Sequence, residues 1–225
     1  MTNNPLERLE LTVQTGACIQ LISDFTYPCT TAAWAPSGKH VIIGSQDDKL
    51  GCGIWDLSGN LVHTFSSPSS SSPSSSPAKI RPNDLAISPD GQRLVVVSEC
   101  SIFVFDLESY ERLCEWQLED VKLTSVSISA DSRHMLVSMN QDRIRLMEID
   151  TGEVVQRFEG HSQRQFIVRS AFGGADENFV VSGSEGTSPF TLISSPFTFK
   201  LLISDTVADC LFQIQGSTYG GLTAC

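Results

Sequence analysis

The strongest constraint on this chain is that it repeats itself. The stretch Ser127 to His161, SISADSRHMLVSMNQDRIRLMEIDTGEVVQRFEGH, holds an apolar run at Met135, Leu136 and Val137 and a polar Asn140-Gln141-Asp142 turn. It continues with alternation at Ile144, Leu146 and Ile149, an Asp150-Thr151-Gly152 turn and a last run from Val154 to Phe158. Short apolar runs bounded by turn residues read as β-strands. A further strand precedes them, where Thr124, Val126 and Ile128 alternate with Leu123, Ser125, Ser127 and Ser129, the period of two that a strand imposes. The same unit recurs twice upstream. Pro36-Ser37-Gly38, Pro89-Asp90-Gly91 and Ala130-Asp131-Ser132 occupy one turn, followed by apolar strands at His40 to Ser45, Arg93 to Ser98 and His134 to Met139. Ile54-Trp55-Asp56-Leu57, Val104-Phe105-Asp106-Leu107 and Leu146-Met147-Glu148-Ile149 occupy a later one.

Four short strands per unit, with 41 residues between Pro89 and Ala130, describe one blade of a β-propeller. The intact Trp55-Asp56 pair resembles the signature of the WD-repeat family, so the expected fold class is all-β, a WD-repeat β-propeller. Residues 24–186 supply three full blades, from about Thr30 to Phe65, from Pro82 to Glu119, and from Leu123 to Phe158. Residues 1–23 are read as the end of a preceding blade, with outer strands over 8–22, and residues 166–184 as the inner half of a following one. Three full and two half blades make an incomplete propeller and predict an open arc. In WD-type blades an Asp in the turn after the second strand, an aromatic on the third strand and a His from the loop before the blade form a buried hydrogen-bonded set. That resemblance implies Asp47 and Trp55 in blade one, with Ser45 as a third member and no matching His. In blade two Phe105 replaces the Trp and the Glu99-Cys100 turn is too short for the Asp. Asp142 holds the turn of blade three, and Gly160-His161 is the Gly-His pair ahead of the fourth unit. Asp56 and Asp106 read as turn residues.

Two stretches fall outside the repeat. Residues 66–79, SSPSSSSPSSSPAK, have almost no apolar content to offset the entropy of ordering and are expected to form a flexible loop between blades. Ser67, Ser72 and Ser76 each precede a proline, so the loop is either a substrate for a proline-directed kinase or an inert low-complexity insertion. After Ser182-Gly183-Ser184-Glu185 the repeat requires an Asp and a third strand, yet Gly186-Thr187-Ser188-Pro189 follows. Residues 187–225 are therefore expected to be a non-repeat tail, either disordered and spurious, from a reading frame that leaves the family's pattern, or a divergent segment. Phe197 to Ile203 and Leu211 to Ile214 alone are strand-like in apolarity.

No catalytic signature is legible. The chain lacks a phosphate-binding G-x-x-x-x-G-K-[ST] loop, an H-E-x-x-H helix and a G-x-S-x-G elbow. His40, His63, His134 and His161 have no metal-ligand spacing to each other or to cysteine. We expect no enzyme, no cofactor and no metal, with His161 a core residue of the blade. The formal charge of -11, from 15 basic and 26 acidic residues, disfavours nucleic acid and anionic membrane as partners. Seven cysteines without a C-x-x-C pair suggest free thiols. With no apolar core in the first residues and no long apolar run, the expected location is the cytoplasm or nucleus.

A closer resemblance lies in Asp150 to His161 and in Arg169 to Glu185, RSAFGGADENFVVSGSE, supported by Thr30 to Pro36 and Asn83 to Gly91. These residues look like the WD-repeat scaffold subunits of the glucose-induced-degradation (GID/CTLH) ubiquitin ligase, over about residues 8–185. The resemblance implies a protein-binding scaffold in proteasome-dependent protein degradation, with other ligase subunits or degradation substrates as partners. It also implies LisH and CTLH helices upstream, which these residues do not include. A general WD-repeat adaptor in signalling, transport or RNA processing is the alternative. The oligomeric state is not legible.

Overall fold

The computed structural model describes residues 8–11, 18–22, 25–47, 50–67, 78–159, 161, 163, 166–185, 191–194 and 201–202, with the backbone alone for 8–11, 18–21, 78, 191–194 and 201–202. Every sheet is antiparallel, and no α-helix occurs among the described residues. Strands β1 (Arg8–Leu11) and β2 (Cys18–Ile22) pair with each other. Sheet one runs β3 (Cys29–Trp34), β4 (His40–Ser45), β5 (Cys52–Asp56), β6 (Leu61–Ser67) and β7 (Ala78–Lys79). Sheet two runs β8 (Asp84–Ile87), β9 (Arg93–Ser98), β10 (Ser101–Asp106) and β11 (Arg112–Gln117). Sheet three runs β12 (Leu123–Ile128), β13 (His134–Met139), β14 (Arg143–Glu148) and β15 (Val154–Glu159). Sheet four runs β16 (Ser170–Gly173), β17 (Phe179–Ser182), β18 (Thr191–Ser194) and β19 (Leu201–Leu202). Each sheet is a meander in chain order, the all-β incomplete propeller that the repeat predicts.

The middle strands show why the apolar runs are continuous. In β9, Leu94 and Val96 pack with Ile42, Ile54 and Phe65 of sheet one, while Val95 and Val97 pack with Met135, Val137 and Met139 of sheet three. A strand covered on both faces needs apolar residues at every position, because successive side chains point opposite ways. All four of these β9 side chains are fully buried, each contributing about 1.5–3 kcal/mol from burial. Leu136, Ile144 and Phe158 continue the stacking toward Val180 of sheet four. Ile22 packs beside the Phe25, Val41, Ile43 and Trp55 cluster at the other end.

Two expectations are corrected. The serine-rich loop is shorter than 66–79, because Ser66 pairs with Lys79 and Ser67 with Ala78. Ladder pairing uses only backbone groups, so low apolar content does not bar the segment's ends from it. Residues 68–77, with Ser72 and Ser76, lie outside the described residues. Strands also follow residue 186, where the break in the sequence pattern predicts none in register with the repeat: β18 pairs with β17, Val180 opposite Ile193, and β19 pairs with β18. Thr191 to Ser194 contains no proline in sequence, so each of its residues keeps the N–H a ladder needs, and an extended strand needs no family motif. Of the strand-like stretches in the tail, only Leu201–Leu202 is described as strand, and Leu211 to Ile214 lies outside the described residues.

Candidate functional site

In blade one the turn after β4 locks the loop ahead of the blade. The Asp47 carboxylate, fully buried, accepts the Thr26 N–H at 2.8 Å and the Leu50 N–H at 3.4 Å. Ser45 receives the Asp47 N–H at 3.1 Å and donates to the Tyr27 and Pro28 carbonyls, each at 3.2 Å. Trp55 is buried beside them, and Phe25 packs on it with ring centroids 5.2 Å apart. In blade two Phe105 is buried against Phe65 at 4.7 Å. Its short turn uses backbone bonds, Leu118 N–H to the Cys100 carbonyl at 2.8 Å among them.

The fourth unit departs from the pattern. His161 is buried, lies beside Asp142 of the preceding blade, and has an unpartnered Nε2. Burial lowers its pKa, against a smaller opposing pull from Asp142. Asp142 accepts the Gln163 N–H in a short contact, so it holds the loop that follows its blade, whereas Asp47 holds the loop that precedes its own. The Gln163 amide, oriented to satisfy both neighbours, donates to the Met139 carbonyl at 3.1 Å and accepts the Val168 N–H at 3.3 Å. Gly160 lies outside the described residues. The turn carboxylate of blade four is Glu185, whose Oε1 accepts the Phe166 N–H at 2.6 Å, as Asp47 accepts Thr26. The sequence pattern, which asks for an Asp one position later at Gly186, did not mark Glu185 for this role.

Asp56 and Asp106 close the turns before β6 and β11. Asp56 accepts the Asn60 N–H at 2.8 Å, the Asn60 amide at 3.0 Å and the Ser58 N–H at 2.9 Å. The Asn60 bonds lead in lowering its pKa. Asp106 accepts the Ser109 N–H at 2.7 Å and hydroxyl at 2.9 Å, which lower its pKa in the same way. Ser67, at the end of β6, is half-buried. Among the described residues no group of three His, Cys, Asp or Glu side chains converges to hold a metal.

Sequence reasoning missed Asp84. Counting back from the aligned turns, the first strands of the four sheets place Thr31, Asp84, Ser125 and Ser170 at one equivalent position. Asp84 is buried and accepts the Thr31 hydroxyl at 2.9 Å from sheet one and the Val126 N–H at 3.2 Å from sheet three. The Arg169 guanidinium, from the residue before β16, reaches it at 3.2 Å. One carboxylate therefore ties together the first strands of sheets one to three and the entry to sheet four. The opposite turns are also linked: the Asp90 N–H donates to the Ser132 hydroxyl at 3.0 Å, and Glu177 accepts the Ser129 hydroxyl at 2.5 Å and the Ala130 N–H at 2.7 Å. The arrangement is a braced frame of sheets with loops at both ends.

No family model matches the chain. It is 32% identical over 168 residues to a WD repeat-containing protein WDS homolog of Arabidopsis thaliana, covering 73% of this chain and 30% of that protein. A WD repeat-containing protein 26 homolog of Arabidopsis thaliana is 32% identical over 194 residues, covering 85% and 30%. The chain is a WD-repeat protein. GID complex subunit 7 of Schizosaccharomyces pombe is 28% identical over 171 residues, covering 72% of this chain and 30% of that subunit. This WD-repeat chain thus spans about 30% of the length of these curated relatives. The matches agree with four-stranded blades built on one repeated unit.

Proposed function

We propose that this WD-repeat chain is a protein-binding scaffold within a GID/CTLH-type ubiquitin ligase, acting in proteasome-dependent protein degradation in the cytoplasm or nucleus. The observation that supports the ligase reading is the similarity to GID complex subunit 7 over 72% of the chain. The observation that supports a scaffold is the frame itself: sheets braced at Asp84 and at the turn contacts hold loops rigidly, and recognition tends to sit on loops carried by rigid frames. The partners in this reading are other ligase subunits or degradation substrates, and the chain's role is binding without a catalytic step. In this reading, phosphorylation of Ser67, Ser72 or Ser76 by a proline-directed kinase would tune that binding.

The test is affinity purification of the tagged chain from cells, with quantitative mass spectrometry of what accompanies it. Enrichment of ubiquitin-ligase subunits over a tag-only control is expected. Enrichment of a signalling, transport or RNA-processing assembly without any ligase subunit would replace this reading with that of a general WD-repeat adaptor.

A further inference from the structure

The outer strands of sheet three carry an unbalanced charge arrangement. Arg145 of β14 lies directly across from Arg157 of β15, and Arg143 lies across from Glu159. Residues two apart on a strand and residues paired across a ladder share a face, so the three guanidinium groups leave the sheet on the same side. Like charges directly opposite each other destabilise a ladder. Elsewhere the fold offsets such charge: Arg93, Arg112, Arg133 and Arg169 each have a carboxylate partner. None of Arg143, Arg145 and Arg157 has one among the described residues, in a chain with 26 acidic and 15 basic residues. Arg145 is half-buried, and its burial, followed by the charges of Arg157 and Arg143, holds its pKa below the usual arginine range. With Ile144, Phe158 and Glu159 the three arginines line a cleft of about 210 Å³.

We propose that this cleft is a docking site for a short acidic peptide segment of a partner protein, whose carboxylates seat on Arg145 and Arg157. Arg145 and Arg157 lie directly across the ladder, with side chains roughly 5 Å apart at the Cβ atoms, close enough for one carboxylate to meet both. Arg143, two residues along β14 from Arg145, stands at the roughly 7 Å repeat at which an extended peptide presents its next side chain on that face. Guanidinium groups bind carboxylates through paired N–H donors, and a bound carboxylate would relieve the repulsion between Arg145 and Arg157. A long polyanion such as nucleic acid fits less well, since beyond the cleft it would run over a chain of net charge -11. The inference rests on the reading of the chain as a protein-binding scaffold and is independent of the ligase assignment.

The test titrates the full chain into a fluorescein-labelled peptide of alternating glycine and glutamate at low salt, with the glycine-lysine peptide as control. Saturable binding of the glutamate peptide alone is expected, together with a rise in the melting temperature of the unsubstituted chain when it is added. The Arg145→Gln/Arg157→Gln variant should bind at least about tenfold more weakly, and Arg133→Gln, on an exposed arginine of another turn, should bind as the parent does. Relief of like-charge repulsion leaves the double variant able to fold, which far-ultraviolet circular dichroism checks. The Arg145→Lys/Arg157→Lys variant, which keeps the charge but loses the paired N–H donors, should bind more weakly than the parent and more tightly than the double glutamine variant. Absence of saturable binding, equal binding by the double glutamine variant, or tighter binding of an oligonucleotide of the same charge would overturn the docking site. If ligase subunits are still recovered with the chain in that case, the scaffold reading stands and only the cleft assignment falls.

Discussion

At the scale of single residues, Asp84 has no counterpart at the equivalent positions of the other blades, where Thr31, Ser125 and Ser170 are neutral. Its buried carboxylate is the acceptor for a hydroxyl, a backbone N–H and a guanidinium from three neighbouring sheets. Asp84→Ala leaves the Thr31 hydroxyl and the Val126 N–H without their acceptor, which costs about 1–3 kcal/mol for each donor left buried. Arg169 is largely exposed at 64% of its side chain, so Arg169→Ala should cost about 1 kcal/mol or less. Urea denaturation of the two variants decides between hydrogen-bond bracing and ion pairing as the source of stability; equal losses would overturn the bracing account. Cys52 gives a chemical check on the same core. It is fully buried in β5, and burial pushes its pKa up to about 12. The thiolate is the reactive form, so native protein treated with iodoacetamide at pH 8 should leave Cys52 unmodified until denaturant is added, as read by peptide mass spectrometry.

Among the elements, the turns carry more of the specification than the strands. Gly152, between β14 and β15, has a φ of +70°, and a Cβ there would meet the Trp116 indole nitrogen at 2.4 Å. Gly152→Ala therefore combines left-handed strain with a clash across two blades, and should cost about 1–3 kcal/mol. Gly38 shares the left-handed conformation, with a φ of +66° and open space around its Cβ position, so Gly38→Ala should cost about 1 kcal/mol. A difference between the two melting temperatures measures the packing of Trp116 against the turn, and equal shifts would show that only the backbone matters. The turn carboxylates differ in their targets: Asp47 and Glu185 hold the loops that lead into their blades, while Asp142 holds the loop that leads out. Glu185→Gln keeps an acceptor for the Phe166 N–H and should be milder than Glu185→Ala.

For the whole molecule, acid stability should fall in two steps. His161 and His63 are both held below the ordinary histidine pKa by burial first, His63 with help from Lys79. A histidine with a depressed folded pKa contributes stability that is present above its ordinary value of 6.5 and is lost as pH falls through the folded value. The turn aspartates define the second step. Burial works against ionisation of Asp131, yet the Arg133 N–H and the His134 side chain and N–H bring its pKa to about 2. Its contribution is complete above 3.8 and disappears as pH falls through about 2. Thermal melts across pH should show a decline beginning below pH 6.5 and a second below pH 4. His161→Gln should flatten the first decline and Asp131→Asn the second; a single transition in all three proteins would overturn the assignment.

The sequence by itself determined the four repeat strands of each of the first three blades, though not the added β7 of sheet one, together with the period, the turns at Gly38, Gly91 and Gly152, and the buried apolar runs, because these depend on local periodicity and on backbone conformations that few residues adopt. It also marked Asp47, Trp55, Phe105 and His161 as positions within a repeated unit. Only the tertiary structure decided which partners those residues meet. The meeting of Asp84 with Arg169, 85 residues away in the chain, depends on how sheets stack and leaves no local period. The same holds for Glu185 with Phe166 and for Phe25 over Trp55. The pairing of Thr191–Ser194 with β17 was hidden for a related reason: a backbone ladder can form wherever the chain is extended, whatever its side chains resemble. Arg145 opposite Arg157 was legible as two basic residues on predicted strands, and only the register across the β14–β15 ladder brought them onto one face.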